Sequence, residues 1–320
     1  MKTLISILIA IALAALHGTA LAQKYPEKSL RYISPFPTGA SQILALLVSE
    51  KLGAALGQSV VVDFRAGAGG NIGLELAAKA PPDGYTLVQS SSSMAISPSL
   101  YKKLPFNSLR DFQAVTQIGN VPNLVVVHPS VPATTLKELV QVAKANPGKL
   151  SYGSGGVGSG NHLASEMFKF MTGTQMVHVP YKGASIALTH ILSGEIDMVT
   201  VTVPATIPFI NSGKLRGLAI LARERAATLP NLPTSKEAGY PELLMDSWYG
   251  VNLPNGVRAD IVERLNSELR KIMHAPETVK QLARVGIDAV TSTPAEFQAF
   301  IKADGERWAR VIKEANIRIE

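Results

Sequence analysis

Ser154, Ser159 and His162 lie close together in the run Gly153-Ser154-Gly155-Gly156-Val157-Gly158-Ser159-Gly160-Asn161-His162. Three chemistries compete for such a stretch. Gly153, Gly155 and Gly158 match the G-x-G-x-x-G string of a dinucleotide site, which needs a strand before it and an acidic residue about 20 positions on. Only Leu150-Ser151-Tyr152 precedes the string, and the next strand region, Val177-His178-Val179-Pro180, carries no acid. Gly155 and Gly160 have P-loop spacing, but Asn161-His162 stand where Lys-Ser/Thr is required. A nucleophile pair of Ser154 or Ser159 with His162 lacks a third acid to orient the imidazole. No serine sits in a G-x-S-x-G elbow. His162 is expected in the first turn of a helix, bonding locally. Anion binding is the chemistry left. A Gly/Ser loop ahead of a helix offers free backbone amides, and the helix dipole favours negative charge there.

Other titratable groups point to no chemistry. His128, His178, His190 and His274 lack metal-ligand spacing, and the pairs Glu195/Asp197 and Glu263/Glu268 read as flanking or solvated charges. No cofactor and no metal is implied. The chain has no cysteine, which excludes disulfides, iron–sulfur clusters and cysteine-held zinc. Its net charge of +7 is dispersed, without the basic stripe and interleaved aromatics of a nucleic-acid binder.

The elements that position these loops alternate. Strands are expected at Leu30–Ile33, Val60–Phe64, Tyr85–Val88, Leu124–Val127, Val177–Val179, Met198–Val203 and Leu215–Leu221. Helical patterns run from Ile43 to Leu56, after Asn71 through Leu76, from a Thr135/Glu138 capping box to Asn146, over Asn161–Phe170, and up to Leu192. Such alternation predicts parallel α/β sheets. Residues after 245 read as mainly helical. Asp260 with Glu263 is expected to cap one helix, with Ile261, Leu265, Leu269 and Ile272 as its apolar stripe. Thr293-Pro294-Ala295-Glu296 starts another, whose Phe297, Phe300, Ile301, Trp308 and Ile312 face a core. The expected division is a first lobe of 23–122 plus 246–320, host to the C-terminal helices, and a second lobe of 123–245.

Residues 1–22 form a signal peptide by pattern. Lys2 is followed by the apolar stretch Leu4–Leu16 and the small-x-small site Ala20-Leu21-Ala22, so cleavage is expected after Ala22. No later run reads as long and apolar enough to cross a bilayer.

Five Gly/Ser/Thr segments fall at strand-to-helix junctions: Pro37–Gln42, Gly67–Asn71, Ser90–Ser93, Ser154–Ser159 and Tyr181–Ala184. In open parallel sheets, ligands sit at the carboxyl ends of strands. Three segments belong to the first lobe and two to the second. That predicts a cleft in which amides, hydroxyls and ordered waters hold a small anion without turnover.

These residues resemble the Bug family, the extracytoplasmic solute receptors of tripartite tricarboxylate transporters. The resemblance rests on Ile33-Ser34-Pro35-Phe36-Pro37, Arg65-Ala66-Gly67-Ala68-Gly69-Gly70-Asn71-Ile72-Gly73, Pro82-Asp83-Gly84-Tyr85-Thr86-Leu87 and Leu104-Pro105-Phe106. It continues through Asn146-Pro147-Gly148, Gly156-Val157-Gly158-Ser159, His162-Leu163, His178-Val179-Pro180-Tyr181-Lys182-Gly183 and Ser212-Gly213-Lys214-Leu215-Arg216. It implies a type II, two-lobed, Venus-flytrap periplasmic receptor: a monomer that is not an enzyme and docks on integral-membrane transporter subunits. First-lobe ligand contacts implied are Phe36, Thr38, Gly39, Ala40, Ser41 and Gln42, then Gly70, Asn71, Ser91 and Ser92. Second-lobe contacts implied are Ser154, Gly155, Gly156, Val157, Gly158 and Ser159. His162, Tyr181, Lys182 and Gly183 serve as supports or lining, and Thr200 and Thr202 as cleft residues.

One departure stands out. The family's first loop usually carries an Asp and, further on, an Arg. Here Ser41 or Gln42 stands near the acid's place and Leu46 replaces the Arg. An acid there can pair with a ligand's ammonium group or with its own Arg, and the loss of both charges also fits joint deletion of that pair; a plain aromatic, di- or tricarboxylate is expected over an amino acid. Two alternatives from other classes are a ligand-presenting sensor for a membrane signalling protein and a secreted hydrolase using Ser154 or Ser159.

Overall fold

The computed structural model describes residues 25–314 and 317; the expected signal peptide lies outside them. The chain begins with β1 (Leu30–Ser34), α1 (Gly39–Leu56), β2 (Val60–Phe64), a 3₁₀ turn at Ala68–Gly70 and α2 (Asn71–Ala78). β3 (Thr86–Ser91), α3 (Ser92–Leu100), β4 (Phe112–Val127) and α4 (Leu136–Ala145) follow. Next come β5 (Ser151–Ser154), α5 (Gly160–Thr172), β6 (Val177–Pro180), α6 (Ala184–Leu192), β7 (Met198–Thr202), α7 (Val203–Asn211) and β8 (Arg216–Ile220). The chain returns through β9 (Asp246–Pro254), α8 (Ala259–His274), α9 (Pro276–Ala283) and α10 (Pro294–Glu314).

The strands run in the order β2-β1-β3-β9-β4-β7-β5-β6, with β8 also on β4. β1 pairs in parallel with β2 and β3, and β5 with β6 and β7. β4 joins the two half-sheets. Its Phe112–Pro122 portion pairs antiparallel with β9, and its Asn123–Val127 portion pairs with β7 and β8. Pro122 sits where the strand changes partners, which is where a residue without an N–H costs the ladder least.

β9 and most of β4 were not legible as strands. β9 is buried on both faces over Ser247–Pro254, so it shows no period-two alternation. Its Gly250 is a packing requirement, since a Cβ there would lie 2.0 Å from the Phe297 ring. Gly119 and Pro122 likewise disguise β4. The Ser90–Ser93 segment is not a loop: β3 ends at Ser91 and α3 begins at Ser92.

α8 and α9 pack in the first-half core through Ile261, Leu265, Leu269 and Leu282, whereas α10 packs against both halves. In α10, Phe297 and Ile301 pack with Ile33, Leu74 and Trp248. Trp308 and Ile312 pack with Leu136, Leu163 and Phe168 of the second half. Phe300 is 39% exposed rather than core, although it stacks edge-on against Trp248. Asp260 is not a cap: α8 starts at Ala259 after Arg258, and Asp260 lies in the first turn paired with Arg258. Contrary to expectation, α1 is long and apolar enough to span a membrane by composition. Its Leu44, Val48 and Leu52 are instead fully buried in the protein core.

Candidate ligand cleft

A cavity of about 270 Å³ is lined by residues of both half-sheets. Its polar wall is made of helix beginnings. α1 contributes Gly39, Ala40 and Ser41; α3 contributes Ser92; α5 contributes Gly160 and Asn161; α6 contributes Ala184 and Ser185. Thr202, just before α7, completes the set. Each helix follows directly on a strand's carboxyl end or a short turn from it, because βα units in a parallel sheet bring helix N-termini to one edge.

None of these five helices has a side-chain cap or an acidic residue in its first turn. The first N–H groups of a helix have no intrahelical acceptor. Here they converge with five dipole ends on one cavity, and no Asp, Glu, Lys, Arg or His lines it among the described residues. The field is therefore positive without any cation. Phe36, Pro37, Leu188, Val201, Ala205 and Tyr249 supply apolar surface. Such a wall can hold an anionic group on a carbon skeleton. Asn123 and Ser247 line it where β4 and β9 cross between the halves, tied by Asn123 Nδ2 donating to Ser247 Oγ at 2.8 Å.

The family model for the tripartite tricarboxylate transporter family receptor matches residues 44–317. The chain belongs to this receptor family. It is 36% identical to protein BugT of Bordetella pertussis over 98% of this chain and 97% of that one. A solved periplasmic transporter superposes with a TM-score of 0.89 at 39% identity, covering 92% of this chain and all of the other. R. palustris Rpa4515, solved with adipate, superposes with a TM-score of 0.88 at 33% identity over 92% of this chain and 99% of its own. The fold is that of a periplasmic substrate-binding receptor.

In this receptor, Phe36, Thr38, Gly39, Ala40 and Ser41 line the cavity, as do Ser91, Ser92, Gly155, Ser159, Gly183 and Thr202. Ser41 is held by Gln89, whose Nε2 donates to its Oγ at 2.7 Å and to its carbonyl at 3.1 Å. The neighbouring Gln42 is off the cavity wall, and Leu46 is 50% exposed on α1.

The remaining expected contacts fall behind the wall or beside it. Gly70 and Asn71 belong to a segment that abuts the 155–159 loop. Gly69 takes φ +63, and a Cβ there would lie 2.7 Å from the Val157 carbonyl. Tyr101 Oη donates to that same carbonyl at 2.7 Å. Gly156, Val157 and Gly158 thus contact the opposite half rather than line the cavity. Thr200 is buried and bonded to Ser165 Oγ at 3.0 Å. Tyr181 stacks on His190, and Lys182 is exposed.

Ser154 does not pair with His162. Its fully buried Oγ lies 2.7 Å from His178 Nε2, and it is not part of the cavity wall. His162 bonds locally, accepting from the Gly158 N–H at its Nδ1, 3.4 Å away. The His162 and His178 rings lie 4.3 Å apart, with His178 also stacked on Tyr152. Burial, then the neighbouring imidazole, holds His162 down at about 3. Burial, with Lys169 reinforcing it against Glu166, holds His178 at about 4. Both rings are neutral acceptor–donor supports at ordinary pH.

Asn123, Asn161, Ser185, Leu188, Ala205, Ser247 and Tyr249 line the cavity but escaped the sequence reading. Asn161 stood in plain view as the second residue of the helix after the Gly/Ser loop. Ser247 and Tyr249 lie on the unrecognised β9.

Proposed function

We propose that this receptor captures a small carboxylate without an ammonium group, an aromatic or di/tricarboxylate, and delivers it to integral-membrane transporter subunits. One observation carries this: five acid-free, uncapped helix starts face a single cavity that has no charged side chain. Amide donors and dipole ends suit a carboxylate, whereas nothing ionised on the wall would compensate a buried ammonium. The apolar part of the wall suits a carbon skeleton, and the adipate held by a 33% identical structural neighbour is a ligand of this kind.

The lobes we infer are 23–122 with 246–320, and 123–245, with α10 lying against both. Only the closed state gains contacts from both halves, so ligand shifts the population towards closure. Isothermal titration against aliphatic, aromatic, di- and tricarboxylates, with glutamate and aspartate included, tests the proposal. Saturable binding of a non-amino carboxylate is expected. Tight binding confined to the amino acids would overturn it.

A further inference from the structure

Asn161 is 9% exposed and lines the cavity as the second residue of α5. Its Oδ1 accepts from the Gly155 N–H at 3.2 Å and from Ser159 Oγ at 2.6 Å. Its Nδ2 is buried and has no partner in the protein. Two other buried side-chain N–H₂ groups lack a partner among the described residues, at Asn71 and Asn252, but neither lines the cavity. A buried, unsatisfied N–H₂ is costly, and native proteins seldom leave one without a reason.

The orientation of the amide is set by its neighbours. Oxygen and nitrogen of an amide are assigned by the network they join. The Gly155 N–H is fixed by the backbone and needs an acceptor opposite it, so the oxygen must face the loop. Ser159 Oγ–H shares its proton between this oxygen and the Gly156 carbonyl, 2.6 Å away. The amide's two donors are then left without an acceptor among the described residues, on a residue that lines the cavity.

We propose that Asn161 is a ligand-contacting, specificity-determining residue: its Nδ2 donates to an acceptor oxygen of the bound carboxylate, while its Oδ1 braces the 155–159 loop. This rests on the carboxylate-receptor reading and adds a free side-chain donor to a wall whose other side-chain amide, Asn123, already donates to Met245 and Ser247. The residue selects for a ligand that presents an oxygen acceptor at the α5 end of the cavity and against one that presents a donor there.

The discriminating variant is Asn161→Asp. It keeps an oxygen to accept from Gly155 N–H and Ser159 Oγ–H, so a purely bracing residue tolerates it. It also replaces the donor with a carboxylate oxygen that faces the ligand's own. Titration of adipate, benzoate and citrate into wild type and variant at pH 7.5 reads the difference. The expected result is a loss of at least ~100-fold for the carboxylate that wild type binds, since one charge-assisted bond is removed and a like charge added. Asn161→Ala, which removes the bond without adding charge, is expected to lose about 10-fold to 100-fold.

Binding by Asn161→Asp within threefold of wild type overturns this inference and leaves the receptor reading intact. Wild-type protein that binds no carboxylate overturns both. If Asn161→Asp does not fold, the assigned side-chain amide protons of Asn161 in wild type carry the test. They should shift with ligand saturation, and signals that stay in place refute the contact.

Discussion

The helices of this receptor fall into two groups by how they begin. Those on the outside start with an acid in the first turn: Glu138 in α4, Asp260 in α8, Glu277 in α9 and Glu296 in α10. The five that face the cavity, and α2 beside them, have none. An acid near a helix N-terminus stabilises it by about 0.3–1 kcal/mol. Its omission from every cleft-facing start forgoes that stability and leaves donors for something that is not protein. The same contrast holds for loop N–H groups. Outside, Glu138 and Glu296 accept from the backbone of Thr134 and Thr293. Beneath the cleft, a neutral imidazole, His162, accepts from Gly158. The cavity wall and the helix starts that face it carry no anion among the described residues, as a site for an anion requires.

The largest effect should come from moving an acid across this divide. Ser185 is the second residue of α6 and lines the cavity. Ser185→Asp supplies the first-turn acid that outer helices carry, so the unliganded protein should melt at the same temperature or slightly higher. The same carboxylate fills the dipole end and repels a ligand anion. Carboxylate affinity is expected to fall by about 1,000-fold, or about 4 kcal/mol. Paired melting and titration experiments check it. A variant that loses stability and affinity together would erase the distinction between the two groups.

How much of this contrast could be read in the chain itself differs between its two sides. The outer caps at Thr135/Glu138 and Thr293/Glu296 are written in local spacing, because a cap is made by residues three apart. The βα rhythm and most cleft segments are local too, which is why Thr38–Ser41, Ser91–Ser92 and Ser159 were found. What failed depended on distant partners. Gly67–Asn71 looks like an anion loop until its neighbour proves to be Val157 rather than the cavity. Ser154, expected at the ligand, is fully buried against His178 of the neighbouring parallel strand β6. Ser247 and Tyr249 lie on a strand whose two buried faces conceal its period.

A second test acidifies the cleft side. His162 falls from its ordinary 6.5 to about 3 and His178 to about 4 on folding. Between those values and 6.5 the unfolded chain binds more protons, so stability rises with pH and is lost as pH falls through that window. For the more buried His162 the loss from pH 7 to pH 4 is on the order of 3 kcal/mol. Melting temperatures of wild type and His162→Asn over pH 4–7 measure it. The variant should start less stable at pH 7 and lose less on acidification. An unchanged slope would mean that the imidazole is solvated and that the cleft's neutral support is not under strain of burial.

The smallest effect lies on the outside. Thr293 Oγ1 accepts from the Glu296 N–H at 3.2 Å, and Glu296 reaches back to the Thr293 N–H at 2.8 Å. These backbone and hydroxyl bonds hold the Glu296 carboxyl below its ordinary range, so the cap is intact at neutral pH and is lost in acid as that group protonates. Thr293→Ala should cost about 1 kcal/mol of stability and move Glu296 back towards the usual carboxylate range. Carboxylate binding should change by less than about twofold, since nothing on the cavity wall is touched. α10 nevertheless lies against both cores, through Phe297 in one and Trp308 in the other. A large change in affinity from this outer cap would therefore show that α10 sets the balance between open and closed receptor, and that the two groups of helix starts are coupled through it.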